Sequence, residues 1–168
     1  FGGCSALPLL EKYDNLLIVR TLSKSHSLAG ARLGYAIGRA ELIADLNRMR
    51  FSFNPYNINR LSLQAGAAAL KDADYFRRCR DSIIESREYA MGELRKLGFK
   101  VLDSRANFIF AGGHPKISGT EYFRRLRENG ILVRHFEGPR TENYVRITVG
   151  TRTQMERLVT VTGMILGG

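Results

Sequence analysis

The chain has 168 residues, 44% hydrophobic and 25% charged, which is the balance of an ordinary globular fold and excludes a disordered or fibrous one. Its net charge of +10 comes from 26 Lys and Arg against 16 Asp and Glu, but the basic residues are scattered among acids with no aromatic-basic platform, so no nucleic-acid partner is expected. No run approaches the roughly 20 apolar residues that cross a bilayer, Phe1-Gly2-Gly3-Cys4 has no basic or apolar leader, and Cys4 and Cys79 lack metal or disulfide spacing; a cytoplasmic protein with no membrane partner and no metal is expected.

In chain order, Leu16-Leu17-Ile18-Val19 is apolar throughout and predicts a strand buried on both faces of a parallel sheet. A polar segment follows, and a second short strand starts and stops between Gly34 and Gly38. Residues 40–50 predict a helix with Leu42, Ile43, Leu46 and Met49 on one face, and Asn54-Pro55-Tyr56-Asn57 breaks it. An alanine-rich helix over 60–71 comes next. Asp74 is suited to cap a longer helix, in which Phe76, Cys79, Ile83, Ala90, Leu94 and Leu97 recur at helical spacing until Gly98.

Beyond Gly98, residues 99–102, 107–110, 131–136 and 144–149 predict strands. Ser118-Gly119-Thr120-Glu121 has the spacing of a capping box before one helix, ended by Gly130, and Thr153-Gln154-Met155-Glu156 before the last. The expected organisation is a piece of a larger domain over 1–73, a connecting helix over 74–97 and a small α+β domain over 98–168.

Chemistry concentrates in Thr21-Leu22-Ser23-Lys24-Ser25-His26-Ser27-Leu28-Ala29-Gly30-Ala31-Arg32-Leu33-Gly34-Tyr35, hydroxyl side chains around one lysine just after a strand. Ligand sites in α/β sheets lie at the carboxyl ends of strands. Ser23 and Ser25 can donate to a phosphate, the planar guanidinium of Arg32 can bind one through two N–H groups, and an amine such as that of Lys24 serves as a nucleophile when its surroundings deprotonate it.

This segment resembles the cofactor-lysine motif of the fold-type I pyridoxal-phosphate enzymes, and Ser23 through Tyr35 is especially similar to the histidinol-phosphate aminotransferase branch. The resemblance continues through Asn54-Pro55-Tyr56-Asn57-Ile58-Asn59, Ala106-Asn107-Phe108-Ile109-Phe110, Gly130-Ile131-Leu132-Val133-Arg134 and Val145-Arg146-Ile147-Thr148-Val149-Gly150-Thr151. It implies an α/β fold, the carboxy-terminal part of a fold-type I transferase with part of the large-domain parallel sheet and a small α+β domain. It implies pyridoxal 5'-phosphate as cofactor, held covalently by Lys24 and through its phosphate by Ser23 and Arg32. Arg146, assisted by Arg134, would bind the carboxylate of glutamate or the phosphate of histidinol phosphate, in a transamination belonging to histidine biosynthesis and carried out by a homodimer.

Without the resemblance, Arg146 between Val145 and Ile147 reads as a solvent-facing strand residue, and Arg134 as a surface charge near a turn. His26, His114 and His135 lack partners at metal-ligand spacing and read as structural; Tyr35 and Tyr56 read as core, and Asn107 takes no assigned duty. The family's members carry further cofactor-binding groups before the segment that matches Phe1, so this chain by itself is expected to be inactive, with sheet edges and apolar surface uncovered. Within the fold, a related aromatic aminotransferase or a phospho-threonine decarboxylase shares part of the pattern; outside it stands a non-catalytic module that packs on a partner.

Overall fold

The computed structural model of the protein describes residues 1–167, and the chain divides into two units, Gly3–Arg78 and Phe1–Gly2 with Cys79–Gly168.

In the first unit a 3-10 turn, Leu7–Glu11, precedes β1 (Leu17–Thr21), α1 (Leu22–Ser25), a second 3-10 turn (Ala29–Ala31), β2 (Gly34–Gly38), α2 (Ala40–Phe53) and α3 (Arg60–Lys71). The parallel, doubly buried strand expected at residues 16–19 is not what forms. β1 pairs antiparallel with β2, from Leu17 opposite Gly38 to Thr21 opposite Gly34, and Val19 is 67% exposed. The connection returns the chain to the end of the strand it left, which only an antiparallel pair allows without a long crossover. An apolar run reads the same for either direction.

α2 runs three residues beyond its expected end and stops at Phe53, because Pro55 forces Asn54 out of the helical region (φ −155°, ψ 85°). Its apolar face is uncovered in this unit: Leu46, Met49, Phe51 and Phe53 are all exposed. α3 starts where Asn59 Oδ1 accepts the amide of Ser62 at 2.8 Å.

α4 (Ala73–Lys96) contributes its first residues to one unit and the remainder to the other. Its cap is Asp72 and not Asp74: Asp72 Oδ1 accepts the amide of Tyr75 at 3.0 Å, whereas Asp74 lies in the first turn and pairs with Arg77. Two aspartates two residues apart both suit a cap, and the one at the end of α3 takes the role. Gly98 ends α4 at φ +93°, a conformation glycine adopts without strain.

The second unit continues with β3 (Lys100–Val101), β4 (Phe108–Gly112), α5 (Gly119–Glu128), β5 (Arg134–His135), β6 (Tyr144–Thr148) and α6 (Arg152–Gly167). The four strands form one antiparallel sheet in the order β3-β4-β6-β5. Its inner face, Ile109 and Ala111 with Val145 and Ile147, packs against Leu94, Tyr122, Leu126 and Leu158 of the helices. Ser118 caps α5 by accepting the amide of Glu121 at 3.2 Å. α6 is capped two residues earlier than expected, by a reciprocal box in which Thr151 Oγ1 accepts the amide of Gln154 at 3.3 Å and Gln154 Oε1 accepts that of Thr151 at 2.9 Å. Of residues 131–136 only Arg134 and His135 are strand, paired with Arg146 and Val145 of β6.

Candidate active site

Lys24 sits in α1, in the loop between β1 and β2. The loop is closed at its neck by the amide of Leu22 donating to the carbonyl of Leu33 at 3.1 Å, one residue before the Thr21–Gly34 rung of the ladder. Ser23 follows Leu22 and Arg32 precedes Leu33, so closure brings these two candidates to the same neck, with Lys24 next to Ser23. Inside the loop the amides of His26 and Leu28 both reach the carbonyl of Leu22, at 3.3 and 3.1 Å.

Two residues of this loop, Ser27 at φ 57° and Arg32 at φ 53°, are the non-glycine positions with left-handed backbone among the described residues. Such conformations cost energy that the surroundings must offset, and they concentrate at functional sites. Arg32 donates Nη1–H to the carbonyl of Ala29 at 3.2 Å and meets no carboxylate among the described residues. The side chains of Ser23 and Lys24 make no hydrogen bond or ion pair there either, and Lys24 is exposed. The loop thus presents an amine, a hydroxyl and a guanidinium with donors to spare.

Ser25, expected to serve an anion, is engaged locally instead: its hydroxyl donates to the carbonyl of Thr21 at 3.2 Å and lies 2.9 Å from His26 Nδ1. The His26 ring stacks on Phe76 at 4.7 Å. His114 and His135 bond main-chain carbonyls, of Leu97 at 3.0 Å and Glu142 at 2.6 Å. Among the described residues no cluster of His, Cys, Asp and Glu could hold a metal, and no helix is long and apolar enough to cross a membrane. Tyr35 and Tyr56, expected in a core, are exposed, Tyr56 by 92%, because it lies in the turn between α2 and α3, where its own unit does not cover it.

Arg134 and Arg146 belong to the other unit and are brought together there. On β6, Val145 and Ile147 point into the core, so Arg146 points out. Its cross-strand neighbours are Arg134 on β5 and Phe110 on β4. Like charges directly opposite each other on a sheet repel. Neither guanidinium meets a carboxylate among the described residues; aromatic rings surround them instead. Phe108 and Phe136 lie under Arg146 at 5.7 and 5.8 Å, and Phe110 stacks on Tyr144 at 5.0 Å. The result is an exposed face whose guanidiniums are not ion-paired among the described residues, although Glu137 lines the same concavity as Arg134 and Phe136, and it can take an anion attached to an apolar or aromatic body. Sequence reasoning missed these aromatics. The signal available was the i, i+2 spacing of Phe108 and Phe110, which matches that of Arg134 and Phe136.

Comparison with known proteins supplies the context for both groups. Residues 1–161 match the family model described as aminotransferase class I and II. The curated histidinol-phosphate aminotransferase of Chromohalobacter salexigens is 48% identical over 159 residues, 95% of this chain and 45% of that protein. The solved histidinol-phosphate aminotransferase of Clostridium acetobutylicum superimposes with a TM-score of 0.83 at 26% identity, covering 96% of this chain and 48% of that one. The Sinorhizobium meliloti histidinol-phosphate aminotransferase, solved in complex with pyridoxal 5'-phosphate, gives 0.77 at 25% identity over 93% of this chain and 44% of its own. The chain spans about half the length of the curated relatives it matches.

Proposed function

Because the chain belongs to the class I and II aminotransferases and has the fold of part of a fold-type I enzyme, we propose that it is the portion of a pyridoxal-phosphate-dependent aminotransferase that supplies the cofactor-holding lysine and the substrate-binding arginines. The observation that carries this reading is the neck of the Lys24 loop, where the main-chain closure at Leu22 and Leu33 brings the Ser23-Lys24 and Arg32 positions to one place, with side-chain donors to spare and left-handed backbone at Ser27 and Arg32.

These residues fit the cofactor's chemistry. Pyridoxal phosphate carries an aldehyde, which an amine can hold covalently, and a phosphate, which hydroxyl and guanidinium donors bind. When bound, the cofactor supplies an electron sink for the substrate's α-carbon. Lys24 Nζ would hold the cofactor and would move the proton at the substrate's α-carbon. Ser23 Oγ–H and the Arg32 guanidinium would hold the phosphate. The Arg146 guanidinium, with Arg134 beside it, binds the substrate's anion and so fixes the position of the α-carbon.

For the whole protein we propose transfer of an amino group between histidinol phosphate and glutamate or 2-oxoglutarate, in histidine biosynthesis, by a cytoplasmic homodimer. Histidinol phosphate has no α-carboxylate and glutamate has no phosphate, so one arginine pair without a carboxylate partner accommodates either anion. The names of the relatives support this substrate. As for domains, we propose that residues 1–73 belong to a larger cofactor-binding domain, 74–97 connect, and 98–168 form a small domain.

Steady-state transamination by the full-length enzyme tests the assignment. Wild type should convert histidinol phosphate with 2-oxoglutarate, and Lys24→Ala should abolish turnover. Normal turnover in Lys24→Ala would sink the proposal.

A further inference from the structure

Arg134 and Arg146 share one aromatic ring. The guanidinium carbon of Arg134 lies 5.5 Å from the centroid of the Phe136 ring and that of Arg146 5.8 Å from it, while Phe108 gives Arg146 a second ring at 5.7 Å. We infer that Phe136 is a positioning residue, whose ring holds the two guanidiniums as a pair and leaves their N–H groups to the substrate's anion. This rests on the reading of the two arginines as anion ligands.

The need for such a residue follows from the register. Arg134 and Arg146 are directly opposed across β5 and β6, where two cations repel each other and are driven apart. The ordinary remedy is a carboxylate between them, as where Glu121 pairs with both Arg124 and Arg125 on α5. A carboxylate at the arginine pair would consume the N–H donors that bind a substrate anion and cancel the charge that attracts it.

An aromatic face avoids both losses. Its negative quadrupole attracts a guanidinium, yet it accepts none of the in-plane hydrogen bonds. Phe136 is placed for this by its spacing of two residues from Arg134, which puts both side chains on one face of an extended chain. It is half-buried whereas both arginines are exposed, so the ring is the more firmly seated member of the trio. Phe108 touches Arg146 alone and has a smaller share in the effect.

The test uses full-length holoenzyme, with steady-state kinetics on histidinol phosphate and inhibition by inorganic phosphate. In Phe136→Leu, KM and the phosphate inhibition constant should both rise about three- to tenfold, while kcat stays within about twofold. Phe136→Tyr keeps the ring face and should restore both constants to about the wild-type values. Phe108→Leu should raise them by about two- to fivefold, and Phe136→Met, which fills the ring's space without its face, decides the matter if Phe136→Leu does not fold. If the Leu variants leave both constants unchanged while Arg146→Gln raises them, the inference is overturned and the arginine assignment stands. Equal losses in Phe136→Leu and Phe136→Tyr also overturn it, since the ring face is then irrelevant. If Arg146→Gln changes neither constant, the arginine assignment itself has failed.

Discussion

Leu22 and Leu33 clamp the two ends of the Lys24 loop, their main chains joined by a 3.1 Å hydrogen bond and their side chains buried beside Gly66 of α3. A Cβ on Gly66 would come within 2.6 Å of Leu33 Cδ1 and 3.4 Å of Leu22 Cδ1. A glycine in mid-helix is therefore explained by the close approach of α3 to the loop. Gly66→Ala should push the buried Leu33 methyl off α3, and overpacking of about 1–3 kcal/mol should outweigh the about 0.5–1 kcal/mol that alanine gains over glycine in a helix. Thermal unfolding reads the loss, and weaker pyridoxal-phosphate binding by the full-length variant should accompany it. An unchanged or raised Tm would show that the helix tolerates the methyl group and that the clamp is not tight.

The arginine pair predicts a dissociation between binding and stability. Charge-assisted hydrogen bonds to a substrate phosphate contribute about 1.5–3 kcal/mol, so Arg146→Gln should lower kcat/KM for histidinol phosphate by about ten- to a hundredfold. The same substitution relieves the repulsion from Arg134, so folding stability should stay within about 0.5 kcal/mol of wild type or rise. Histidinol without its phosphate should lose a similar factor with wild-type enzyme and little more with the variant. A variant that unfolds at lower temperature in proportion to its lost activity would make Arg146 a structural residue.

Tyr122 ties the helices of the second unit together from inside the core. Its hydroxyl donates to Thr162 Oγ1 at 2.8 Å, and Thr162 donates to the carbonyl of Leu158 at 2.7 Å. Burial pushes the Tyr122 hydroxyl up to about 12 from 10.0. A folded state that holds its proton more tightly than the unfolded one keeps this contribution below pH 10 and loses it as pH rises from there through about 12. Alkaline stability should fall over that window and the fall should flatten in Tyr122→Phe. An identical pH profile in the variant would place the alkaline loss elsewhere. Thr162→Val should cost about 1–3 kcal/mol at neutral pH, because it leaves a buried hydroxyl without an acceptor.

The features legible in the sequence were those encoded by local pattern. Gly98 stops α4, Pro55 stops α2, and the alternation around Arg146 already places it on the outer face of its strand. Strand direction was not legible, because Leu17 and Ile18 next to Val19 read equally well in parallel and antiparallel pairs. The cap of α6 was misplaced because Thr151 with Gln154 and Thr153 with Glu156 offer the same three-residue spacing, and only the folded chain selects between them. The rings beside Arg146 escaped notice for a related reason. Phe108 and Phe110 flank Ile109, so the strand is apolar throughout and its pattern does not say which side chains turn outward. The residues expected to work on the cofactor and those expected to bind the substrate lie in separate units, a separation no local pattern states.

Whether Lys24 holds pyridoxal phosphate is read chemically. Full-length protein loaded with pyridoxal phosphate is reduced with borohydride, digested and mapped by mass spectrometry. A pyridoxyl group is expected on Nζ of Lys24, with none there in unreduced protein. A pyridoxyl group found on another lysine of active, reduced enzyme, with Lys24 unmodified, would contradict this assignment.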